Sequence, residues 1–358
     1  MNTVKRKVIL TGGGTVGHVM LNKLLIPGLI NKGIEPLYIG SKKGIEKEII
    51  NATSIKYYNI SSGKLRRYLS KENIKDFFKV SKGFYDARKI LKREKPELVF
   101  SKGGFVSVPV VLAARSLNIP VFIHESDISP GLANKIAGRF ATKIFVTFEK
   151  TLDHLPSAKA EYIGPVFRDD LGRGRNNIGF ELTGFNPEKP IMLIMGGSLG
   201  SVTINKFIKD NLNELLDKWQ IIHLVGYGNY DDALNQTGYK QFEFVNKELP
   251  HLMKISDTVV GRSGSNAIFE FLLNKKPMIL VPLPLNQSRG DQIENAEYFK
   301  EKGFAEVIHE EQLSLSEFMQ KLSAIEQHRS EIITRMKVFD GGYQPEDLVN
   351  RLLQEEGK

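Results

Sequence analysis

Short apolar runs alternate with amphipathic stretches along almost the whole chain. Six runs in the first half are rich in Val, Ile, Leu and Phe and are predicted to be strands: KVILTG (7–12), PLYIG (36–40), IKYYNI (55–60), LVFSKG (98–103), PVFIHE (120–125) and KIFVTF (143–148). Helical patterns such as VPVVLAARSLN and GLANKIAGRFA fill the gaps between them. Nearly continuous apolar strands, each followed by a helix, indicate a parallel sheet that is covered on both faces.

The alternation breaks off once and then restarts. After residue 165 the chain enters RDDLGRGRNNIGFELTGFNPEKP, whose Gly, Asn and charged residues predict a linker. Further strands are predicted at IMLIMGG (191–197), IIHLVG (221–226), FEFV (242–245), TVVG (258–261), PMILVP (277–282) and AEVIH (305–309). We therefore expect an α/β protein with two Rossmann-like, doubly wound parallel-sheet domains facing across a cleft. The domains are residues 1–165 and 190–358, with residues 166–189 as the linker, and the last helix is able to pack back on the first domain.

Composition and charge narrow the class. The chain has 358 residues and no cysteine, which excludes disulfides, thiolate metal sites and a cysteine nucleophile. No apolar run approaches the roughly 20 residues that span a bilayer, and the start lacks a signal-peptide core, so we expect a cytoplasmic location. Residues 1–165 carry 28 Lys and Arg against 13 Asp and Glu, whereas residues 166–358 carry 22 against 28. The basic first half suits nucleic acid, an anionic membrane surface or a polyanionic substrate, and charge alone does not choose among them.

Each predicted domain begins with a strand that runs into glycines and then a helix: VILTGGGTVGH and LIMGGSLGSVTIN. Glycine allows close approach to a ligand, and the N–H groups of the following helix favour an anion, so each loop is predicted to cradle phosphate. Gly12, Gly14 and Gly17 fit the G-x-G-x-x-G spacing of dinucleotide-binding turns. A nicotinamide cofactor would need an acidic residue where the second strand ends, but PLYIG is followed by SKKG. A Walker A motif is also absent.

Two segments of the second half carry polar groups at predicted strand ends. GRSGSNAIFE (261–270) passes through Arg262 and Ser263 into a helix whose first turn is predicted to carry Glu270. A carboxylate there can accept both hydroxyls of a ribose, although an Arg262–Glu270 surface ion pair is the alternative. VPLPLNQSRGDQIENA (281–296) places Asp291 and Gln292 at the start of another helix, where they either bind a ligand or serve as caps.

Six motifs in this order, TGGGTVGH, SKGGFVSVPVVLAA, HESDISPGLANK, MGGSLGSVTIN, GRSGSNAIFE and RGDQIENA, closely resemble the MurG family within glycosyltransferase family 28. The resemblance covers nearly the whole chain. It implies the GT-B architecture, with UDP-GlcNAc on the C-terminal domain and lipid I on the N-terminal domain. It also implies inverting transfer of GlcNAc to the C4 hydroxyl of N-acetylmuramic acid, giving lipid II and UDP. No cofactor, no metal and no nucleic acid are expected. The implied location is peripheral, on the cytoplasmic face of the membrane, with other cell-wall synthesis proteins as candidate partners.

The same resemblance, together with the loop chemistry, assigns residues to roles. His18 and Asp127 are the catalytic candidates. The donor-binding candidates are Arg168, Gly196, Gly197, Ser198, Val245, Arg262, Ser263, Ser265, Glu270, Asp291 and Gln292. The acceptor- and phosphate-binding candidates are Gly13, Gly14, Thr15, Val16, Gly17, Gly103, Gly104, His124, Glu125 and Asn134.

The identity of the general base stays open between His18 and Asp127. Imidazole titrates near neutral pH and suits removal of a hydroxyl proton. Many relatives have G-G-T-G-G-H and H-E-Q-N where this chain has GGTVGH and HESD, so Asp127 supplies a carboxylate in place of an amide. Asp127 either orients His18 and raises its pKa or takes the proton itself. Glu125-x-Asp127 only loosely imitates a metal-binding D-x-D pair.

The basic segment 61–97 contains several apolar side chains among its Lys and Arg: Ile74, Phe77, Phe78, Phe84, Tyr85, Ile90 and Leu91. Some of these must pack on the sheet, but a cationic segment with exposed aromatics also predicts attachment to anionic lipid. Two alternatives to the leading function are a GT-B transferase acting on another lipid and a nucleotide-sugar-binding module without catalysis. Nucleic-acid binding is weakened because no recognised motif accompanies the charge.

Overall fold

The structure is a computed structural model that describes residues 6–63, 71–168, 170–197, 199–339 and 341–356, without the side chains of 71–77 and 356. The chain divides into two compact units. The N-terminal unit comprises Met1–Arg168 and Gly342–Lys358, and the C-terminal unit comprises Asp169–Gly341.

The N-terminal unit contains a seven-stranded parallel sheet in the order β3-β2-β1-β4-β5-β6-β7. The strands are β1 (Lys7–Thr11), β2 (Glu35–Ser41), β3 (Lys56–Ile60), β4 (Leu98–Ser101), β5 (Val121–Glu125), β6 (Lys143–Val146) and β7 (Ala160–Tyr162). In the described part of this unit, five α-helices follow strands: α1 (Gly17–Asn31), α2 (Ile45–Asn51), α3 (Lys71–Glu94), α4 (Ser107–Arg115) and α5 (Leu132–Gly138). The central strands are buried because two apolar layers cover opposite faces of the sheet.

The C-terminal unit contains a six-stranded parallel sheet in the order β10-β9-β8-β11-β12-β13. Its strands are β8 (Ile191–Met195), β9 (Gln220–Leu224), β10 (Tyr239–Phe242), β11 (Thr258–Gly261), β12 (Met278–Leu280) and β13 (Ala305–Val307). Its helices are α6 (Asn176–Thr183), α7 (Val202–Asp210), α8 (Leu212–Lys218), α9 (Leu249–Ile255), α10 (Ser265–Leu273), α11 (Asp291–Glu301) and α12 (Leu315–Lys337). The predicted α/β class with two doubly wound parallel-sheet domains is confirmed.

The last helix, α13 (Pro345–Glu356), belongs to the N-terminal unit. Leu348, Val349 and Leu352 lie in the same apolar layer as α1. Arg351 also donates to both carboxylate oxygens of Glu161 on β7, at 3.0 and 2.8 Å. These contacts attach the end of the chain to the unit where the chain begins.

Two segments differ from what the sequence pattern indicates. The predicted linker contains helix α6, which packs on α9 because Gly179 has no side chain to collide with the His251 carbonyl. The strand predicted at 242–245 is wrong in its position, because β10 runs from Tyr239 to Phe242 and Phe244 is exposed. In the described part of the chain, no helix is both long and apolar enough to cross a membrane.

Candidate functional site

The first glycine loop leaves the N-terminal sheet where the strand order reverses, between β1 and β4. Loops at such a switch point diverge and leave a crevice at the carboxyl ends of the strands. Gly13 N–H donates to the carbonyl of Gly103, just after β4, at 3.2 Å. A β-carbon at Gly104 would overlap the Gly13 carbonyl, and Gly104 has φ +82°, so this loop contact requires glycine.

A buried carboxylate holds the same loop from the other side. Glu46 on α2 accepts hydrogen bonds from Gly14 N–H at 3.2 Å and from Ser41 N–H at 3.1 Å. The Gly14 N–H is therefore engaged and unavailable to a phosphate. Within the described residues, nothing accepts from the backbone N–H groups of 15–17, which remain available to an anion at the start of α1. The sequence prediction missed Glu46, because in the sequence it resembles the other charged residues of an amphipathic helix.

His18 lies in the first turn of α1 and is half-buried. Its Nδ1 lies 3.0 Å from the Gly13 carbonyl oxygen, which can only accept, so Nδ1 carries the hydrogen. Burial lowers the pKa of His18 and the charge of Lys102 lowers it further, against opposing effects of Glu125, the Gly13 carbonyl and Asp127. The imidazole is thus neutral near neutral pH, with a lone pair on Nε2 that can accept a proton.

The Glu125 carboxylate ends β5 and is fully occupied by the loop that follows. It accepts from Ser126 N–H at 2.8 Å and from Asp127 N–H, Gly131 N–H and Asn134 Nδ2 at 3.0 Å each. Glu125 therefore positions the loop that carries Asp127. The half-buried Asp127 acts on His18 only through its charge in this arrangement, since His18 Nδ1 is oriented by Gly13.

His124 and Asn134 are buried beside this loop. Burial, reinforced by the charge of Lys102, holds the pKa of His124 well below its usual range. Asn134 Nδ2 donates to the His124 carbonyl at 3.3 Å. His124 Nδ1 and Asn134 Oδ1 are buried and have no hydrogen-bond partner among the residues described. Buried polar atoms are normally paired, so these two atoms mark a place for water or a substrate group.

Lys102, directly after β4, is a further polar residue that the sequence prediction did not select. It is buried, and its Nζ donates to Ser126 Oγ at 2.9 Å. Its charge acts on both His18 and His124. A lysine after a strand ordinarily indicates a solvated position, so burial of its charge was not visible in the pattern.

The C-terminal unit repeats this arrangement between β8 and β11, where its strand order reverses. Gly196 and Gly197 follow β8, and a β-carbon at Gly196 would lie 2.5 Å from Ser201 N. Ser201 caps α7 by accepting from Ile204 N–H at 3.3 Å. Ser198 lies outside the described residues.

Arg262 is buried after β11, and its guanidinium is engaged within the unit. It donates to Ser201 Oγ at 2.7 Å and to the carbonyls of Val281 and Pro282 at 3.1 and 3.2 Å. It also forms an ion pair with Glu310, so the predicted alternative pair with Glu270 is not observed. Arg262 therefore ties together the loops that follow β8, β11 and β12.

The starts of α10 and α11 are joined by side chains predicted to bind the donor. Ser263 Oγ donates to the Gln292 carbonyl at 2.7 Å, and Gln292 Oε1 accepts from Leu283 N–H at 3.2 Å. Ser265 opens α10, and its buried Oγ has no partner among the described residues. A hydroxyl at a helix N-terminus, beside free N–H groups, suits an anionic ligand.

Glu270 lies in the second turn of α10, not in the first turn as predicted, because the helix begins at Ser265. Its side chain is half-buried. Asp291 is the first residue of α11, as predicted, and its Oδ1 lies 3.4 Å from Arg289 Nε. Arg168 is half-buried and is the last residue of the first of the two segments that form the N-terminal unit.

An exposed aromatic pair flanks the predicted donor residue Val245. Val245 is buried, whereas Phe244 and Tyr227 are 51% and 60% exposed. Their rings stack with centroids 5.3 Å apart and an interplanar angle of 14°. Exposed flat faces suit a heterocyclic base. Among the described residues, no group of three His, Asp or Glu side chains converges as metal ligands would.

Comparison with known proteins identifies the family. Residues 8–146 match the glycosyltransferase family 28 N-terminal domain, and residues 191–349 match the glycosyltransferase family 28 C-terminal domain. The chain is 56% identical over 351 residues to the UDP-N-acetylglucosamine--N-acetylmuramyl-(pentapeptide) pyrophosphoryl-undecaprenol N-acetylglucosamine transferase of Staphylococcus aureus (strain bovine RF122 / ET3-1). That alignment covers 98% of this chain and 99% of the relative.

Two solved structures show how widely the fold is shared. MurG of Acinetobacter baumannii superposes with a TM-score of 0.78 at 22% identity, covering 98% of this chain and 99% of that one. The UDP-GlcNAc 2-epimerase of Methanocaldococcus jannaschii superposes with a TM-score of 0.58 at 16% identity, covering 97% and 99%. Because a transferase and an epimerase share this fold, the fold alone does not fix the reaction.

Proposed function

Since the chain belongs to glycosyltransferase family 28, we infer that it transfers GlcNAc from UDP-GlcNAc to lipid I, forming lipid II and UDP in peptidoglycan synthesis. The observation that carries this function is the 56% identity over 98% of the chain to a transferase of that name. Identity of that level extends over both units and therefore over both candidate sites.

The acceptor step is assigned to the N-terminal unit. The C4 hydroxyl oxygen of N-acetylmuramic acid attacks the anomeric carbon of GlcNAc while its proton passes to Nε2 of His18. The bond between that carbon and the diphosphate oxygen breaks, and UDP leaves with the electron pair. Attack opposite the leaving group inverts the anomeric configuration. The neutral, Nδ1-protonated form of His18 supports its role as the base.

Donor binding is assigned to the C-terminal unit. The N–H groups at the start of α10 and the unpartnered Ser265 hydroxyl suit the diphosphate of UDP. Glu270 suits the ribose hydroxyls, and Asp291 with Gln292 suits the hydroxyls of GlcNAc. The stacked Tyr227 and Phe244 add apolar surface beside Val245 for the uracil ring.

Membrane attachment is assigned to α3. Phe78, Lys82, Tyr85 and Lys89 are exposed and recur at helical spacing on one face, opposite the buried Ala87. Phe78 and Tyr85 are 68% and 70% exposed, whereas Ile90 and Leu91 are buried in the core. Ile74 and Phe77 lie outside the described side chains. The exposed stripe combines aromatic rings with ammonium groups, which suits reversible binding to the anionic cytoplasmic face of a membrane.

Flotation with vesicles tests this attachment. The wild type should float with phosphatidylglycerol-rich vesicles and much less with phosphatidylcholine vesicles. The double change Phe78→Ser and Tyr85→Ser should reduce flotation, while Tyr162→Ser, at another exposed aromatic of this unit, should not. Equal flotation with both lipids would refute the assignment.

The transferase function is tested by the donor. The protein is incubated with a short-chain lipid I analogue and UDP-GlcNAc, UDP-GalNAc or UDP-glucose, and release of UDP is followed. Rapid release is expected only with UDP-GlcNAc and only when the acceptor analogue is present. Release that does not depend on the acceptor would contradict the proposed function.

A further inference from the structure

Lys102 is a buried lysine at the switch point of the N-terminal sheet. Its backbone N–H donates to the Thr11 carbonyl at 2.9 Å, and only 2% of the residue is exposed. Within the described part of the chain, its ammonium has one hydrogen-bond partner, Ser126 Oγ at 2.9 Å. Burial lowers the pKa of Lys102, while the charges of Glu125 and Asp127 oppose that effect. Because a buried ammonium is costly, the presence of a lysine at this position calls for a role.

The position of Lys102 brings it close to the catalytic base. Gly12 separates the two residues: a β-carbon there would lie 2.5 Å from the His18 carbonyl oxygen and 3.3 Å from Lys102 Cβ. The base of the Lys102 side chain therefore lies beside the first turn of α1, and because the lysine is buried, little water screens the effect of its charge on His18.

Other charged groups on the neighbouring elements also act on His18 or on the loop that orients it. Glu125 ends β5 and Asp127 follows it, while the buried His124 lies on the same strand. Glu46 on α2 holds the Gly14 N–H of the loop that orients His18. The carboxylates of Glu125 and Asp127 therefore oppose the ammonium of Lys102 in their effect on the pKa of His18.

The balance of these charges decides the state of His18. After burial, Lys102 is the largest influence that lowers the pKa of His18, and Glu125 and Asp127 oppose it. Without the ammonium, the remaining carboxylates would favour the imidazolium ion. An imidazolium ion has no lone pair on Nε2 and cannot accept a proton.

We propose that Lys102 is a positioning residue for the transfer reaction, whose buried ammonium keeps the His18 imidazole neutral so that Nε2 can take the proton of the acceptor hydroxyl. Lys102 acts through His18 and does not contact the reacting atoms. The inference rests on the proposed function, because it concerns the base of that reaction.

Titration of His18 in the substrate-free protein tests the inference directly. The ring signals of labelled histidine are followed by NMR, and His18→Gln identifies the His18 signal among the seven histidines. Lys102→Met keeps the length of the side chain and removes its charge, so His18 should titrate at a higher pH than in the wild type. Lys102→Arg keeps the charge and should leave the titration near that of the wild type.

A second control separates charge from hydrogen bonding. Ser126→Ala removes the hydrogen-bond partner of Lys102 but keeps the charge of Lys102, so the His18 titration should stay near the wild-type value.

Steady-state kinetics gives a second measurement. The acid limb of the pH profile of kcat/KM should move to higher pH in Lys102→Met. The loss of activity in Lys102→Met should therefore be larger at about pH 6 than at about pH 8.

The outcomes are distinct. A folded Lys102→Met protein in which His18 titrates as in the wild type would overturn the inference. If that variant does not fold, the wild-type protein provides the test. At about pH 7 the ring nitrogens of His18 should show the neutral, Nδ1-protonated form. An imidazolium signal would overturn the inference. Since titration needs no turnover, a wild type without transferase activity would refute the proposed function separately.

Discussion

At the residue scale, the proposed chemistry depends on which nitrogen of His18 carries the proton. The Gly13 carbonyl fixes the hydrogen on Nδ1, and burial disfavours a second proton. The orienting group is therefore a backbone carbonyl of the glycine loop, which is itself held by Glu46 and by Gly103. Small changes in this loop should alter catalysis because they turn the imidazole.

His18→Ala should lower kcat by about two to four powers of ten, the usual contribution of a general base. Binding of UDP-GlcNAc should persist, because the proposed donor-binding residues other than Arg168 belong to the C-terminal unit. Steady-state kinetics and titration calorimetry measure the two effects separately. His154→Ala changes an exposed histidine of the same unit and should leave both unaltered. An unchanged kcat in His18→Ala would remove His18 from the mechanism.

Glu270→Ala should weaken binding of UDP-GlcNAc, whereas His18→Ala should mainly lower kcat. Loss of a charge-assisted hydrogen bond to the ribose costs about 1.5–3 kcal/mol, so the Kd for UDP-GlcNAc should rise about ten- to a hundredfold. Calorimetry with UDP-GlcNAc measures this change. The exposed Glu311 provides a matched glutamate for a control substitution to alanine. Equal affinities in Glu270→Ala and Glu311→Ala would rule out the ribose contact.

At the element scale, Arg262 and Glu310 join the loops around the proposed donor site. Glu310→Ala leaves a buried guanidinium without its counter-charge, which should destabilise the C-terminal unit by about 3–5 kcal/mol. Urea unfolding followed by fluorescence of Trp219, the single tryptophan, reports this unit because Trp219 is buried there. Asp210→Ala breaks the exposed pair with Lys206 and should cost less than about 1 kcal/mol. Similar losses in both variants would contradict this description of Arg262.

The strand β9 carries a second buried histidine that links stability to pH. His223 bonds to Tyr239 Oη at 2.9 Å and Asn205 Oδ1 at 3.0 Å, and burial lowers its pKa to about 3. In the unfolded chain the group takes up a proton below its ordinary pKa of 6.5. The stabilising contribution is therefore fully present above pH 6.5 and is lost as pH falls towards 3.

This linkage predicts a loss of about 1.4 kcal/mol per pH unit from His223 alone in that window. Urea unfolding monitored by Trp219 at several pH values measures the slope. His223→Gln does not titrate, so its stability should fall less steeply between about pH 6.5 and pH 5. Parallel slopes in the two proteins would show that His223 does not stay neutral in the folded state.

At the scale of the whole molecule, apolar periodicity predicted the two parallel sheets, because buried parallel strands are almost continuously apolar. It did not predict β7, whose residues Ala160–Tyr162 lie at the edge of the sheet and include no buried position. It also placed β10 too late, since Phe244 looks like a strand residue but is exposed. Helix α6 was missed because its packing depends on a glycine contact with a distant segment.

The candidate sites were predictable only in outline. Glycines after strands and polar residues at helix starts mark the switch points of both sheets. The burial of Lys102 and Glu46 depends on partners far away in the chain, so no local pattern identifies them. The pairing of Arg262 with Glu310 crosses from β11 to the segment after β13 and is equally invisible in sequence.

The most direct test of the account is the structure of the product. The lipid formed from UDP-GlcNAc and a lipid I analogue is isolated, and the new glycosidic linkage is determined by NMR. The account predicts a β-linked GlcNAc on the C4 hydroxyl of N-acetylmuramic acid, formed with inversion of the α-configured donor. An α linkage, attachment at another hydroxyl, or free GlcNAc in place of a lipid product would contradict it.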